Sequence, residues 1–200
     1  MKNLLKVFAV LFLLSTAANA DDKVVQIKEF INNVGDKIIK TAADNSLSDA
    51  KKREKIIITI DEVVDAQWIA RFVLAKQYKG FNEEQKQKFS ALYRQFMINT
   101  YGPKFKNYNG RKFEVIEVVQ QNSFYVAKAE FTPKDGKAIN VDFRVKEKEK
   151  KLVIIDFVAE GISLIETQRS EFNSAISQNG IEKFLQDFQV RVESLKAANK

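Results

Sequence analysis

I-I-D-F-V-A-E-G-I-S-L-I-E-T-Q-R-S-E-F, residues Ile154 to Phe172, is the stretch in which a sheet gives way to a helical tail. Its first part is rich in β-branched and aromatic residues and reads as a strand. Gly161 breaks that pattern, and Ser163 is placed to cap the helix after it. From Ile162 the apolar positions move to Ile165 and then Phe172, a spacing closer to a helical period. Asp156 and Glu160, four apart, fall on one face if the strand is regular. They are expected to hydrogen-bond Arg169 or free N–H groups at the junction rather than to work as an acid–base pair.

Upstream of this hinge the period is two. Strands are expected over Lys112 to Val119, Ser123 to Thr132, Ala138 to Lys146 and Lys151 to Ala159. The short connections between them predict an antiparallel meander. Ile139, Val141, Phe143 and Val145 alternate with Asn140, Asp142, Arg144 and Lys146, giving one dry and one wet face. On the second strand Tyr125, Ala127, Ala129 and Phe131 point inward, and the two alanines leave room over the sheet. The fourth strand is apolar on both faces, so pattern alone does not set its register.

Further upstream the period is helical. Val24, Ile27, Ile31, Val34 and Ile38 draw one stripe, with Gly35 in its middle weakening the helix by about 1 kcal/mol. A loop at Asp44-Asn45-Ser46 leads to a second helix carrying Ile56, Ile57, Ile60, Val63 and Val64. Asp65 marks a break before a third piece, Ala66 to about Tyr78, with Trp68, Ile69, Phe72 and Val73 on its apolar face. Asn82 and Gln85 are spaced as a capping box. The helix they open carries Phe89, Leu92, Tyr93, Phe96, Met97 and Tyr101, and Gly102-Pro103 ends it. This stripe reads as core, part of which can equally line a ligand cavity. After Asn179-Gly180 a last helix, with Ile181, Phe184, Leu185, Phe188 and Val192, is expected to cover one side of the sheet. Together these elements make an α+β chain. Its N-terminal half is helical, its sheet is curved and antiparallel with four strands or five, and a C-terminal helix closes it.

The first twenty residues stand apart. Lys2 and Lys6 form a basic start, Val7 to Leu14 an apolar run too short to span a bilayer, and Ala18-Asn19-Ala20 a cleavage site. The expectation is a secretory signal removed after Ala20, leaving 21–200 as one domain in an exported protein. The net charge is +7, with two of the lysines in the leader. Lysine alternates with glutamate over Lys146 to Lys150, the composition of a solvated turn. Lys51-Lys52-Arg53 is the wet start of a helix, and no nucleic-acid-binding motif accompanies it.

The chain has no cysteine and no histidine, which removes the usual nucleophile–base pairs and the commonest transition-metal ligand. Ser163 then lacks the usual partner base, a Ser–Lys arrangement has no motif here, and the residue reads as a cap. No metal set, phosphate loop or dinucleotide fingerprint is present. The chain is not expected to be an enzyme or to hold a metal or cofactor. Sixteen Phe against one Trp point to a large apolar interior or an apolar cavity.

Three motifs occur in order: Ala70-Arg71-Phe72-Val73-Leu74; the helix Phe96 to Tyr101 after Phe89; and Asp156, Glu160-Gly161-Ile162-Ser163-Leu164 with Arg169-Ser170-Glu171-Phe172. In this the chain, from about Val24 to Leu195, resembles the toluene-tolerance family, which includes the periplasmic phospholipid-binding protein of the Mla lipid-transport pathway. It departs from the family at Ala75, where glycine is usual, and at Leu152, where tryptophan is common. The resemblance implies a strongly bent sheet wrapped by helices, similar to the NTF2/cystatin-like group, with phospholipid acyl chains held between them as cargo. It implies as partners an outer-membrane lipoprotein complex and an inner-membrane ABC transporter with its substrate-binding component. On this reading the protein is a monomeric shuttle. Its lining residues are expected among Phe72, Phe96, Met97, Tyr101, Tyr125, Ala127, Ala129, Val141, Phe143 and Ile162, taken from the apolar faces above. The alternative is an exported protein-interaction module of the same fold with a filled core; a secreted hydrolase ranks last.

Overall fold

A computed structural model describes residues 4–101, 103, 112–132 and 137–199, with side chains from 21 onward. The expected leader side chains, the Gly102 stop and most of the turn between the second and third strands lie outside the described residues. Among the described residues, five α-helices, a 3-10 helix and five strands succeed one another: α1 (Leu4–Ala43), α2 (Asp49–Val63), α3 (Ala66–Leu74), the 3-10 helix (Ala75–Gly80) and α4 (Glu83–Tyr101). The strands are β1 (Lys112–Gln121), β2 (Phe124–Thr132), β3 (Ile139–Lys148), β4 (Lys151–Ala159) and β5 (Ile162–Ser163), and α5 (Leu164–Ala198) closes the chain. The sheet is an antiparallel meander in the order β1-β2-β3-β4-β5. The two-residue β5 is the fifth strand that the sequence left open. No helix among the described residues is long and apolar enough to cross a membrane.

The apolar residues sort into two buried clusters. In the first, Ile27 and Ile31 of α1 pack with Val115, Ala127, Ala129, Val145 and Ile154 of the sheet. The space left by the two alanines is thus roofed in part by α1. In the second, α3, α4 and α5 share Val73, Leu74, Phe89, Tyr93, Phe96, Phe172, Phe184 and Phe188. The rings interlock edge-to-face and stacked, as in Phe89 against Phe172 at 5.9 Å and Phe184 against Phe188 at 5.7 Å. The C-terminal half of α5 therefore seals the helical layer rather than one side of the sheet. Val64 packs against both clusters and joins them.

Local chemistry fixes where the elements begin and end. Asn82 N–H donates to Gln85 Oε1 at 2.9 Å and Gln85 N–H to Asn82 Oδ1 at 2.8 Å, the reciprocal cap that opens α4. Asp65 caps α3 by accepting from Trp68 N–H and also accepts from Lys148 Nζ at 2.8 Å, tying the β3–β4 turn to the helices. The third helical piece is shorter than its periodicity predicts: α3 stops at Leu74 because Ala75 adopts φ 49° and ψ −125°. The bend that glycine would make easily is thus kept with alanine. At Gly180, φ 78° and ψ 168° kink α5 where the sequence placed a break.

Two irregularities shape the sheet. The β1–β2 register slips between Val115 and Glu117, leaving Ile116 exposed. Val115 N–H is taken instead by Asn32 Oδ1 of α1 at 3.0 Å. The β3–β4 register slips between Arg144 and Val145, with Ile155 the extra residue. Such bulges bend the strand and increase its twist. The second slip also explains why β4 is apolar on both sides: Ile154 faces α1, while past the bulge its neighbours swap faces.

Candidate functional site

The register of the sheet builds an apolar surface strand by strand. Val115, Ala129, Val141, Ala159 and Ile162 stand opposite one another across all five strands. Val118, Ala127, Phe143 and Phe157 form the neighbouring row, and Tyr125, Val145 and Ile154 the one beyond. Along the first of these rows exposure rises from 0% at Val115 to 65% at Ile162. The β1–β2 end lies under α1; the β4–β5 end is open.

Aromatic rings line this face. Phe113 and Phe143 meet edge-to-face with centroids 5.9 Å apart, although they belong to β1 and β3. Ala129 lies between them on β2, and its short side chain lets the rings touch over it. Phe143 in turn meets Phe157 at 5.4 Å. Phe157 and Ile139 remain more than a third exposed, beside Ile162. Large apolar side chains collected at one open edge are the feature a hydrophobic ligand requires.

Six of the expected lining residues, Tyr125, Ala127, Ala129, Val141, Phe143 and Ile162, share this face. The structure does not bring the other four onto it. Phe96 is buried in the ring cluster of the helical layer, with the Arg191 guanidinium 4.7 Å over its ring. Phe72 and Met97 sit at that cluster's margin, and Tyr101 is half-buried on the last turn of α4. Burial raises the pKa of Tyr101, and Gln168 hydrogen-bonds to it. Gln168 also accepts from Tyr93 Oη and donates to Met97 Sδ, forming a small polar seam between α4 and α5. Phe113 and Phe157 escaped sequence reasoning. Phe157 follows the bulge at Ile155, where two-residue alternation no longer reports the face, whereas Phe113 alternates in step with Val115 and that pattern was the available signal.

The strand–helix hinge is a structural junction. Asp156, only 2% exposed, accepts from Ser163 Oγ at 2.6 Å, Phe157 N–H at 2.8 Å, Ile165 N–H at 3.2 Å and Arg144 at 3.2 Å. Burial nevertheless raises its pKa above the ordinary carboxylate value. Ser163 Oγ caps α5 by accepting from Glu166 N–H at 3.1 Å. Glu160 lies beyond β4 at φ 49° and accepts from Asn140 N–H, so it is not paired with Asp156. The expected N–H donors are present, but the cation is Arg144; Arg169 lies 4.8 Å over the Phe72 ring. With every Asp156 oxygen engaged and Ser163 buried as a cap, the junction offers neither an accessible nucleophile nor a free base. Among the described residues no group of three or more acidic side chains is gathered as a metal site.

The comparisons with known proteins agree with this architecture. The family model described as MlaC protein matches residues 29–190. The chain also superposes on a phospholipid-binding protein from Ralstonia solanacearum, solved in complex with a phospholipid, with a TM-score of 0.77. The match covers 84% of this chain and 98% of that one at 16% identity. At that identity the likeness establishes a shared fold.

Proposed function

The chain belongs to the MlaC family, and from that premise we propose that it is a phospholipid carrier of the periplasm rather than an enzyme. Its acyl-chain site is the open end of the sheet face, where Phe143, Phe157, Ile139 and Ile162 gather. The observation that carries this reading is the row from Val115 to Ile162, apolar on every strand and increasingly exposed toward β5. The fold it shares with a lipid-bound relative supports it.

Two acyl chains of about 16 carbons, at roughly 0.8 kcal/mol per buried CH₂, cost on the order of 25 kcal/mol to expose to water. Free lipid therefore does not cross an aqueous gap at a useful rate. A carrier needs an apolar surface matched to the membrane interior and few polar contacts to the head group. On this reading residues 1–20 are a signal removed after Ala20, and 21–200 fold as one carrying domain. Lipid passes between an outer-membrane lipoprotein complex and an inner-membrane ABC transporter with its substrate-binding component. The test is transfer of a fluorescent phospholipid between donor and acceptor vesicles by the chain lacking residues 1–20. Transfer that rises in proportion to protein supports the carrier; transfer no faster than the protein-free rate refutes it.

A second reading keeps one observation in its favour. The helical layer is filled by its own rings, Phe89, Tyr93, Phe96, Phe172, Phe184 and Phe188. A protein-interaction module with no cargo would need nothing more.

A further inference from the structure

Where α3 ends against α5, the positive φ of Ala75 turns the chain aside and leaves a surface hollow of about 270 Å³. Ala75, Lys76, Arg169, Ser170 and Asn173 line it. We infer that this hollow is a phosphate-binding site, separate from the apolar sheet face and independent of the lipid-carriage reading.

The charge pattern carries the inference. Twelve ion pairs join the described residues, and neither Lys76 nor Arg169 takes part in any of them. These two cations border the same hollow, and no carboxylate lines it. Arg169 is held by stacking: its guanidinium lies 4.8 Å over the Phe72 ring, which leaves its N–H edge free for a planar bidentate acceptor. Ser170 adds a hydroxyl with no hydrogen-bond partner among the described residues. The floor is rigid, because both N–H groups of the Asn173 amide are committed, to Val73 O at 2.8 Å and Arg169 O at 2.7 Å. A guanidinium, an ammonium and a hydroxyl around an acid-free hollow suit a phosphate mono- or diester. A bland role for Lys76, balancing the C-terminal end of the α3 dipole, accounts for one cation and not for Arg169 on another helix.

Such a phosphate comes either from a lipid head group at a membrane surface or from solution, and two arms of one experiment separate the sources. In the first, the ¹⁵N-labelled chain lacking residues 1–20 is titrated with sodium phosphate at constant ionic strength. Saturable shifts are expected at the amides of Ala75, Lys76 and Ser170, with the Kd raised at least tenfold by Lys76→Gln together with Arg169→Gln. Lys76→Gln alone is the second probe, since it leaves the stacking on Phe72 intact, and a severalfold weakening is expected. In the second arm, cosedimentation with phosphatidylglycerol vesicles is compared with vesicles of an uncharged galactolipid. Binding to the former alone, lost in the double variant, assigns the head group; phosphate shifts without vesicle binding assign a soluble phosphate. No saturable shift at these amides, or equal Kd values for wild type and both variants, overturns the site.

Discussion

Gly35 of α1 lies so close to Phe113 of β1 that a methyl group on its Cα would come 2.4 Å from the Phe113 ring. A residue that weakens the helix on propensity is therefore the one that lets the helix sit down on the sheet. Alanine at this position would gain about 1 kcal/mol of helix propensity. Overpacking against the ring costs roughly 1–3 kcal/mol. Gly35→Ala is thus expected to lower stability by about 1 kcal/mol, the net of those effects. Added to Phe113→Ala, which removes the ring, the same change should become stabilising. Urea unfolding of the four proteins in this cycle checks it, and additive effects would refute the contact.

Ala75 holds a backbone conformation suited to glycine. Strain of this kind costs on the order of 1–3 kcal/mol for a residue with a Cβ, against a gain of about 0.4–1 kcal/mol from the stiffer unfolded chain. Ala75→Gly is expected to raise stability by about 1 kcal/mol on balance. A fall in the urea midpoint would show that the turn is unstrained.

The half-buried Asp65 and the buried Asp156 set opposite pH dependences. Burial works to raise the pKa of Asp65, but hydrogen bonds from Lys148 and Trp68 outweigh it and hold the group below its ordinary 3.8. Its contribution is full above 3.8 and is lost as pH falls through the lower folded value. At Asp156 burial wins over the donors Ser163, Ile165, Phe157 and Arg144, and the folded pKa lies above 3.8. Its contribution is full below 3.8 and is lost as pH rises through the folded value. Urea midpoints across pH should show Asp65→Asn flattening the decline as pH falls from 3.8 and Asp156→Asn removing a decline as pH rises from 3.8 through the folded value. Unaltered slopes in both variants would refute the assignment.

The open end of the sheet face can be probed without disturbing the core. Ile162 is 65% exposed, so Ile162→Asp is expected to change stability by less than about 0.5 kcal/mol while lowering lipid occupancy severalfold. Ala127→Trp and Ala129→Trp are different, although the alternation of β2 leaves room over the sheet there: both alanines are buried with Ile27 and Ile31 of α1. Either tryptophan should destabilise the fold by overpacking. Native mass spectra and thermal melts of the three variants decide; full occupancy in Ile162→Asp would move the site elsewhere.

How much was legible depends on how local each signal is. The Asn82–Gln85 cap, the Ser163 cap, the β4 bounds and the Gly180 break rest on residues within a few positions, and each stands as read. The bulges at Ile116 and Ile155 depend on neighbouring strands, so no single-strand pattern reveals them. The second of them hid Phe157. The end of α3 at Leu74 was masked by a continuing apolar period, and the placement of the last helix in the helical layer depends on rings brought from three segments. Of the expected lining residues, those on strands fell on one face because alternation constrains them. Those on helices did not, because an apolar stripe looks the same in a core and in a cavity.

The central claim is cargo, and native mass spectrometry of the chain without residues 1–20, purified without detergent, tests it most directly. The expected result is a population heavier than the polypeptide by the mass of one phospholipid, with intact lipid recovered on release. A single apo mass from folded protein contradicts it and favours the filled-core module.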